Sequence, residues 1–226
     1  MQLKPDRSLK LRAASFRPAE RLYYQRLLRR VRHLFPAPGR VLDAGCGAGN
    51  VAEVLAEWGC QVTGIDIECQ DAAVKRLQQA GGVFCEASAE ALPFPDAQFD
   101  AALVKDAFHH MKNPARALSE LCRVVRPGGP IVVIEANRYN PVFYLHLTLC
   151  GEHDHFTRWG LRRFLAPAGP LAAYTMAESR CLPWDASWLL VCLNIGEEIL
   201  ERVRLCNPWL TYQIAVVKGL GKAVGQ

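Results

Sequence analysis

The sequence has no uncharged apolar run of about 18 residues, the length a helix needs to cross a membrane. Its N-terminal stretch, MQLKPDRSLK, lacks the apolar segment that a secretory signal requires. Half of the 226 residues are apolar and 22% are charged, so the chain can bury a full core and gross disorder is excluded. We therefore expect a soluble, intracellular protein of the cytoplasm.

No CxxC pair occurs among the nine cysteines. They are odd in number and scattered through apolar segments, where cysteine behaves as a small hydrophobic residue. Free thiols in a reducing compartment are expected, not a disulfide framework. The segment GEHDHF brings Glu152, His153, Asp154 and His155 together, but no further ligand pair of recognisable spacing accompanies them, so no metal site is predicted.

Acidic residues are scarce near the N-terminus. The first 40 residues contain 11 Lys or Arg against Asp6 and Glu20. Such an excess indicates an anionic partner, namely a charged group on a substrate, a membrane surface or nucleic acid. The simpler interpretation is a solvated helix face.

Short apolar segments alternate with segments of helical periodicity between Gly39 and Ala136. The apolar segments are nearly continuous runs, as in parallel strands that helices cover on both faces. The alternation predicts an α/β fold with a doubly wound, mostly parallel sheet. Helical spacing also predicts a helix from Glu20 to Phe35, and further helices between Ala136 and a terminal strand.

The segment VLDAGCGAGN contains the most informative turn of the sequence. Gly45, Gly47 and Gly49 alternate shortly after the acidic Asp43. This G-x-G-x-G spacing differs from the G-x-G-x-x-G turn that holds a dinucleotide pyrophosphate, and a carboxylate would repel phosphate but attract an ammonium group. Asp66 ends the next predicted strand, where a carboxylate can accept both hydroxyls of a ribose. A cofactor with a ribose, a cationic amino group and no phosphate fits this pattern: S-adenosylmethionine.

Four segments, in order, resemble the motifs of the class I S-adenosylmethionine-dependent methyltransferases, most closely the methyltransferase type 11 group. They are VLDAGCGAGN, VTGIDI, ASAEALPFPDAQFDAALVKDAFHHM and LCRVVRPGGPIVVIE. The resemblance implies a Rossmann-like methyltransferase fold with a seven-stranded sheet, and the length of the chain fits one domain over residues 1–226. Its expected parts are a basic helical extension (1–36), a cofactor-binding core (37–136), acceptor-pocket and lid helices (137–209) and a terminal strand (210–219).

The same resemblance implies how the cofactor's methionine end and ribose are held. Asp43 and the backbone of Gly45, Cys46 and Gly47 would meet the methionine end. Asp66 would take the ribose hydroxyls.

The adenine would lie against Ile67, with its edge facing Ser88 and Ala89, and Lys105 would lie beside the methionine moiety. Ser88 stands where the family usually has Asp, and Lys105 replaces a small or polar residue. For these two positions the alternatives are a turn residue and a surface lysine at a strand end.

Methyl transfer is an in-line displacement on a sulfonium, and it needs a base only when the acceptor must lose a proton. The candidate bases near the strand ends are His109, His110 and Glu135, and His153 or His155 in GEHDHF could orient or deprotonate the acceptor. Packing under the cofactor is the alternative role for His109 and His110.

Bulky apolar residues beyond Ala136 favour a small apolar or aromatic acceptor. An RNA methyltransferase and a non-catalytic partner subunit that binds S-adenosylmethionine are the alternatives. No RNA-binding module accompanies the basic N-terminus, so nucleic acid is not the expected partner. The N-terminal helix is expected to close over the cofactor through Tyr23 or Tyr24, in a monomer or homodimer.

Overall fold

The computed structural model describes residues 18–140, 155–177, 203, 210 and 212–218. Seven strands form one sheet in the spatial order β3-β2-β1-β4-β5-β7-β6. The strands are β1 (Arg40–Ala44), β2 (Gln61–Asp66), β3 (Val83–Glu86), β4 (Ala101–Lys105), β5 (Pro130–Ala136), β6 (Leu171–Ala177) and β7 (Tyr212–Lys218). The α-helices are α1 (Pro18–Arg29), α2 (Asn50–Glu57), α3 (Asp71–Gln79), α4 (Pro114–Val124) and α5 (Arg158–Leu165).

The sheet is doubly wound and mostly parallel, as predicted. Strands β1 to β5 pair in parallel, whereas β7 runs antiparallel to both β5 and β6. The first residue of β7, Tyr212, pairs with the last residue of β5, Ala136. The start of β7 therefore lies at the same edge as the carboxyl ends of the parallel strands, where open α/β sheets bind their ligands.

Two apolar clusters cover the two faces of the sheet. Neighbouring residues of β5 alternate between them, with Ile131 and Val133 in one and Val132 and Ile134 in the other. Helices α4 and α5 pack into the first cluster, and α1, α2 and α3 into the second. Because successive side chains of a strand point to opposite faces, both faces are buried and the strands are apolar throughout.

Helix α1 is shorter than the predicted helix from Glu20 to Phe35. It ends at Arg29 and a 3₁₀ turn, Arg32–Leu34, follows. Leu27 and Leu28 are fully buried, so α1 forms part of the core. Part of the positive charge of α1 is neutralised within the protein, because Arg21 forms an ion pair with Glu57 of α2.

Strand β6 has no counterpart among the strands that the sequence pattern predicts. Its sequence, LAAYTMA, is rich in alanine, which is a poor strand former. Among the described strands, β6 lies at the sheet edge and pairs with β7 alone. Its side chains therefore do not alternate clearly between buried and exposed positions. Within the described segments, no helix has the length and apolarity to span a membrane.

Candidate active site

The glycine turn after β1 adopts the conformation that its sequence predicts. Gly45, Gly47 and Gly49 have φ angles of 75°, 49° and 78°, in the left-handed region that favours glycine. A Cβ atom on Gly45 would lie 2.6 Å from Cβ of Ala107, whereas one on Gly47 would meet no atom within 4 Å. Gly45 thus permits close packing against the segment after β4, and Gly47 borders open space that a ligand can enter.

The backbone amides of this turn are bonded within the protein. Gly45 and Cys46 both donate to the carbonyl oxygen of Ile65 at 2.9 Å, and Gly49 donates to that of Cys46 at 2.8 Å. The amide of Gly47 donates to Oδ2 of Asp66 at 2.9 Å. A pyrophosphate cradle needs such amides pointing at the ligand, so this turn is not built to hold phosphate.

Asp43 is a buried carboxylic acid whose Oδ2 atom has no hydrogen-bond partner. Burial, followed by the nearby Asp66, raises the pKa of Asp43 to about 7, against the opposing effects of the Ala52 amide and Lys105. An unpartnered buried acceptor is costly, and a cationic donor would satisfy it. The site therefore suits an ammonium group.

Asp66 ends β2 beside this turn. Its Oδ2 accepts the Gly47 amide and its Oδ1 accepts the Glu68 amide at 3.3 Å. A carboxylate has about four acceptor positions, so room for hydroxyl donors remains. Ile67 follows with 69% of its surface exposed, which is unusual for a large apolar residue and suits a flat apolar ligand.

The other predicted cofactor contacts lie close by. Cys46 is buried, its thiol packs over Gly64, and burial raises the pKa of that thiol far above its ordinary value. Ala89 is buried, and Oγ of Ser88 accepts the amide of Glu90 at 3.2 Å. Ser88 therefore stabilises the turn after β3 while it stands at the carboxyl edge of the sheet.

Lys105 is not the surface lysine that was considered as an alternative. Its side chain is 11% exposed, and its Nζ lies 2.5 Å from Oδ2 of Asp106. The ammonium also faces the rings of Tyr23, Tyr24 and Tyr212, with centroids 5.8, 5.5 and 5.0 Å away. Burial alone would lower the pKa of Lys105, but Asp106 and these phenols raise it well above its ordinary value.

Asp106 lies between Lys105 and the candidate histidines His109 and His155. Nothing in the sequence analysis singled it out. It has a φ of 49°, a strained conformation for a residue other than glycine, and its Oδ1 accepts the amide of Ala136 at 3.1 Å. Burial would raise the pKa of Asp106, but the charge of Lys105 and its hydrogen bond lower it, helped by His109 and His155. The adjacent Lys-Asp pair at a strand end is the sequence signal that marks it.

Tyr212 is the second residue that sequence reasoning missed. Its hydroxyl lies 2.8 Å from that of Tyr23, whose O–H donates, and its ring faces Lys105. Finding it from sequence would have required knowing that the terminal strand is antiparallel, which brings the first residue of that strand to the carboxyl edge.

The candidate bases meet around Glu135, which is fully buried at the end of β5. Nδ1 of His109 lies 2.7 Å from Oε2 of Glu135, and the amide of Phe108 donates to Oε1 at 2.9 Å. Burial raises the pKa of Glu135, while the hydrogen bond from His109 lowers it. The His109 ring centroid lies 4.0 Å from that of the exposed His110 and 4.6 Å from that of His155.

Three of the four candidate histidines, His109, His110 and His155, are thus brought together around the fifth candidate base, Glu135. His153 lies outside the described residues, as do Glu152 and Asp154. No group of three or more His, Cys, Asp or Glu side chains within the described ranges could hold a metal ion. The cysteines of those ranges are free thiols.

The donor set fits S-adenosylmethionine. Asp43 has an unpartnered carboxylate oxygen that would accept the amino group, and Asp66 has acceptor positions left that would take the ribose hydroxyls. Gly47 leaves space for close approach, and the exposed apolar surface of Ile67 would lie against the adenine.

A family model described as a methyltransferase domain matches residues 42–133. Three curated relatives are similar to part of the chain. The chain is 41% identical over 90 residues to a malonyl-[acyl-carrier protein] O-methyltransferase of Enterobacter lignolyticus, covering 40% of this chain and 36% of that protein. It is 42% identical over 105 residues to a demethylmenaquinone methyltransferase of Thermus thermophilus, covering 44% and 48%. It is 34% identical over 122 residues to a ubiquinone biosynthesis O-methyltransferase of Pseudomonas aeruginosa, covering 50% and 51%. The chain therefore matches about half or less of the length of these relatives.

Solved structures share the fold across most of the chain. The [4+2]-cyclase SpnF is 24% identical, with a TM-score of 0.64, covering 89% of this chain and 82% of that one. An S-adenosylmethionine-dependent methyltransferase from Archaeoglobus fulgidus is 18% identical, with a TM-score of 0.63, covering 88% and 94%. At such identities the likeness concerns the fold alone. Over residues 42–133 the chain is therefore similar to a methyltransferase domain, and the curated relatives that match part of it are themselves methyltransferases.

Proposed function

We propose that the protein transfers a methyl group from S-adenosylmethionine to an oxygen atom of a small, apolar or aromatic acceptor, with His109 as the base. The observation that carries this proposal is the 2.7 Å contact between His109 and Glu135. His109 lies two residues after Ala107, which packs against Gly45 of the cofactor turn. The base and the cofactor turn are therefore held by one packed contact.

The cofactor side of the site rests on Asp43, Asp66 and Ile67, which would bind the amino group, the ribose and the adenine. When bound, S-adenosylmethionine supplies a methyl group activated by the positive charge of its sulfonium. Lys105 is compensated by Asp106, so the chain need not place an unpaired cation beside that charge.

On the acceptor side, the proposal depends on the buried pair of His109 and Glu135. Oε1 of Glu135 accepts the amide hydrogen of Phe108, and Oε2 lies 2.7 Å from Nδ1 of His109, which donates to it when Glu135 is ionised. In this proposal Nδ1 of His109 donates its hydrogen to Glu135, and Nε2 takes a proton from an acceptor hydroxyl. The carboxylate then stabilises the imidazolium that forms.

The named acceptors of two relatives support oxygen as the methylated atom. Those relatives are O-methyltransferases, one acting in ubiquinone biosynthesis and one on a malonyl-carrier protein. The third relative is named for methyl transfer to demethylmenaquinone, a quinone. Quinone precursors agree with the apolar acceptor that the sequence favours.

A screen with S-adenosylmethionine labelled in its methyl group tests the proposal. The pools are apolar phenols and quinols, malonyl-carrier protein, polar metabolites and bulk RNA, and a Glu135→Gln variant serves as the control for each. We expect label in the phenol and quinol pool that falls about 100-fold in the variant, the scale of general base catalysis. Label chiefly in RNA or in the carrier protein would overturn the acceptor class, and no label in any pool would favour a non-catalytic subunit.

A further inference from the structure

Helix α5 presents an unusual outer surface next to the acceptor side of the site. Its inner residues Leu161 and Leu165 are fully buried in the core. On its outside, Trp159 is 76% exposed, and Arg158 and Arg163 are exposed as well. A tryptophan so exposed is uncommon on a protein surface that faces only water.

The turn after β5 extends this surface. The amide of Arg138 donates to the carbonyl oxygen of Phe156 at 3.2 Å, which ties the turn to the segment that leads into α5. Tyr139, next to that bond, is 53% exposed. We call the surface formed by Arg138, Tyr139, Arg158, Trp159 and Arg163 the arginine–tryptophan rim.

The charge of the rim has one sign. The described segments 136–140 and 155–177 contain four arginines and no Asp or Glu. The guanidinium groups of Arg158 and Arg162 lie 5.6 and 4.2 Å from the ring centroid of Tyr174, so this aromatic ring helps to hold both cations in place. Positive charge with exposed Trp and Tyr complements the headgroup region of an anionic bilayer, where amphipathic rings and arginines settle.

The rim adjoins the site itself. His155, whose ring lies 4.6 Å from that of His109, precedes α5 by three residues. A bilayer held against the rim would therefore lie beside the acceptor side of the site. From this arrangement we propose that the arginine–tryptophan rim docks the protein on an anionic lipid surface, from which an apolar acceptor is drawn. The source of the acceptor rests on the proposed function, but docking itself does not.

Vesicle sedimentation of the full chain tests docking without any methyl transfer. The vesicles contain phosphatidylcholine alone or with one third phosphatidylglycerol. We expect about tenfold stronger binding to the anionic vesicles at low salt, lost at high salt because exposed charges are screened. Trp159→Ala and Arg163→Glu should each reduce this binding severalfold, and both concern exposed positions, so the fold persists.

Matched controls lie elsewhere on the molecule. Val83→Ala removes another exposed apolar side chain, at β3, and Lys75→Glu reverses an exposed charge on α3. Both should bind as the parent does. Binding that survives in the two rim variants but is lost in Arg29→Glu would assign docking to the basic α1 and overturn the inference. Equal binding to both vesicle types would also overturn the inference. A gel shift with single-stranded RNA that disappears in Trp159→Ala would overturn it as well.

Discussion

Nδ1 of His109 lies 2.7 Å from Oε2 of Glu135, between the segment after β4 and the end of β5. The side chains are 3% and 0% exposed, so neither has water to compete for the contact. A buried carboxylate that fixes the orientation of an imidazole is the arrangement that prepares histidine for proton transfer. Glu135 is a positioning residue in this scheme, because it acts through His109.

Glu135→Gln keeps the shape of the pair and removes its charge. We expect kcat to fall about 100-fold, since the imidazolium loses its counter-charge, with little change in KM for the cofactor. Steady-state kinetics on the acceptor found by the screen measures both. Glu86→Gln, at an exposed position that ends β3, is the matched control and should retain parental rates. Equal losses in kcat and in cofactor affinity would make Glu135 a purely structural residue.

Asp66→Ala should weaken S-adenosylmethionine binding by about 1.5–3 kcal/mol, the cost of removing hydrogen bonds to a charged group. The structure adds a second reason, because Asp66 also accepts the Gly47 amide and so fixes the glycine turn. Calorimetric titration measures the affinity. Asp66→Asn, which keeps an acceptor for the Gly47 amide, should lose less. Unchanged affinity in Asp66→Ala, or a preference for NAD, would refute the cofactor assignment.

The sequence predicts the conformation of the glycine turn and the positions of the two strand-end carboxylates, because these signals are local. Gly45 and Gly47 needed positive φ, and both have it. Asp43 and Asp66 follow from their positions at the ends of apolar strands, which neighbouring parallel strands bring to one edge.

The rest of the site depends on contacts between distant parts of the chain, and residue spacing in the sequence cannot predict such contacts. Tyr23 and Tyr212 are 189 positions apart and meet through their hydroxyls. His109 and Glu135 were both candidates, but their pairing depends on the register of β4 against β5. Strand β6 was missed since its alanine-rich, edge position lacks the alternation that marks half-buried strands.

The proposed closure of α1 over the cofactor is best tested at Tyr23. Removing the whole helix would expose the core, because Leu27 and Leu28 are fully buried. Tyr23→Phe loses only the bond to Tyr212, and we expect about 1 kcal/mol less stability in denaturant unfolding. Tyr23→Ala also removes the ring beside Lys105 and should weaken cofactor binding about tenfold by calorimetry. Parental affinity in Tyr23→Ala would refute the closure, with exposed Tyr139→Ala as the control.

We expect cofactor binding at Asp43 to depend on pH. In the free protein its pKa is about 7, and Asp66, Cys46 and Lys105 are the titratable groups that influence it or lie beside it. A cationic amino group favours the ionised form, so binding should release a proton below pH 7, and affinity should rise up to tenfold per pH unit from pH 5 to 7. Calorimetry in two buffers of different ionisation enthalpy counts the protons. Asp43→Asn should bind more weakly, with this pH dependence removed.

The carboxyl group of Asp43 should also make the stability of the cofactor-free protein depend on pH. This stability should fall as the pH rises, whereas cofactor affinity should rise. The folded pKa of Asp43, about 7, exceeds the ordinary value of 3.8, so the folded state holds the proton more tightly. The stabilisation from Asp43 is therefore complete below pH 4 and is lost as the pH rises through 7. At pH 8, Asp43→Asn should be more stable than the parent by roughly 2–4 kcal/mol, and at pH 5 by much less. Denaturant unfolding at both values measures the difference, and a stability gap that does not change with pH would show that Asp43 is ionised throughout.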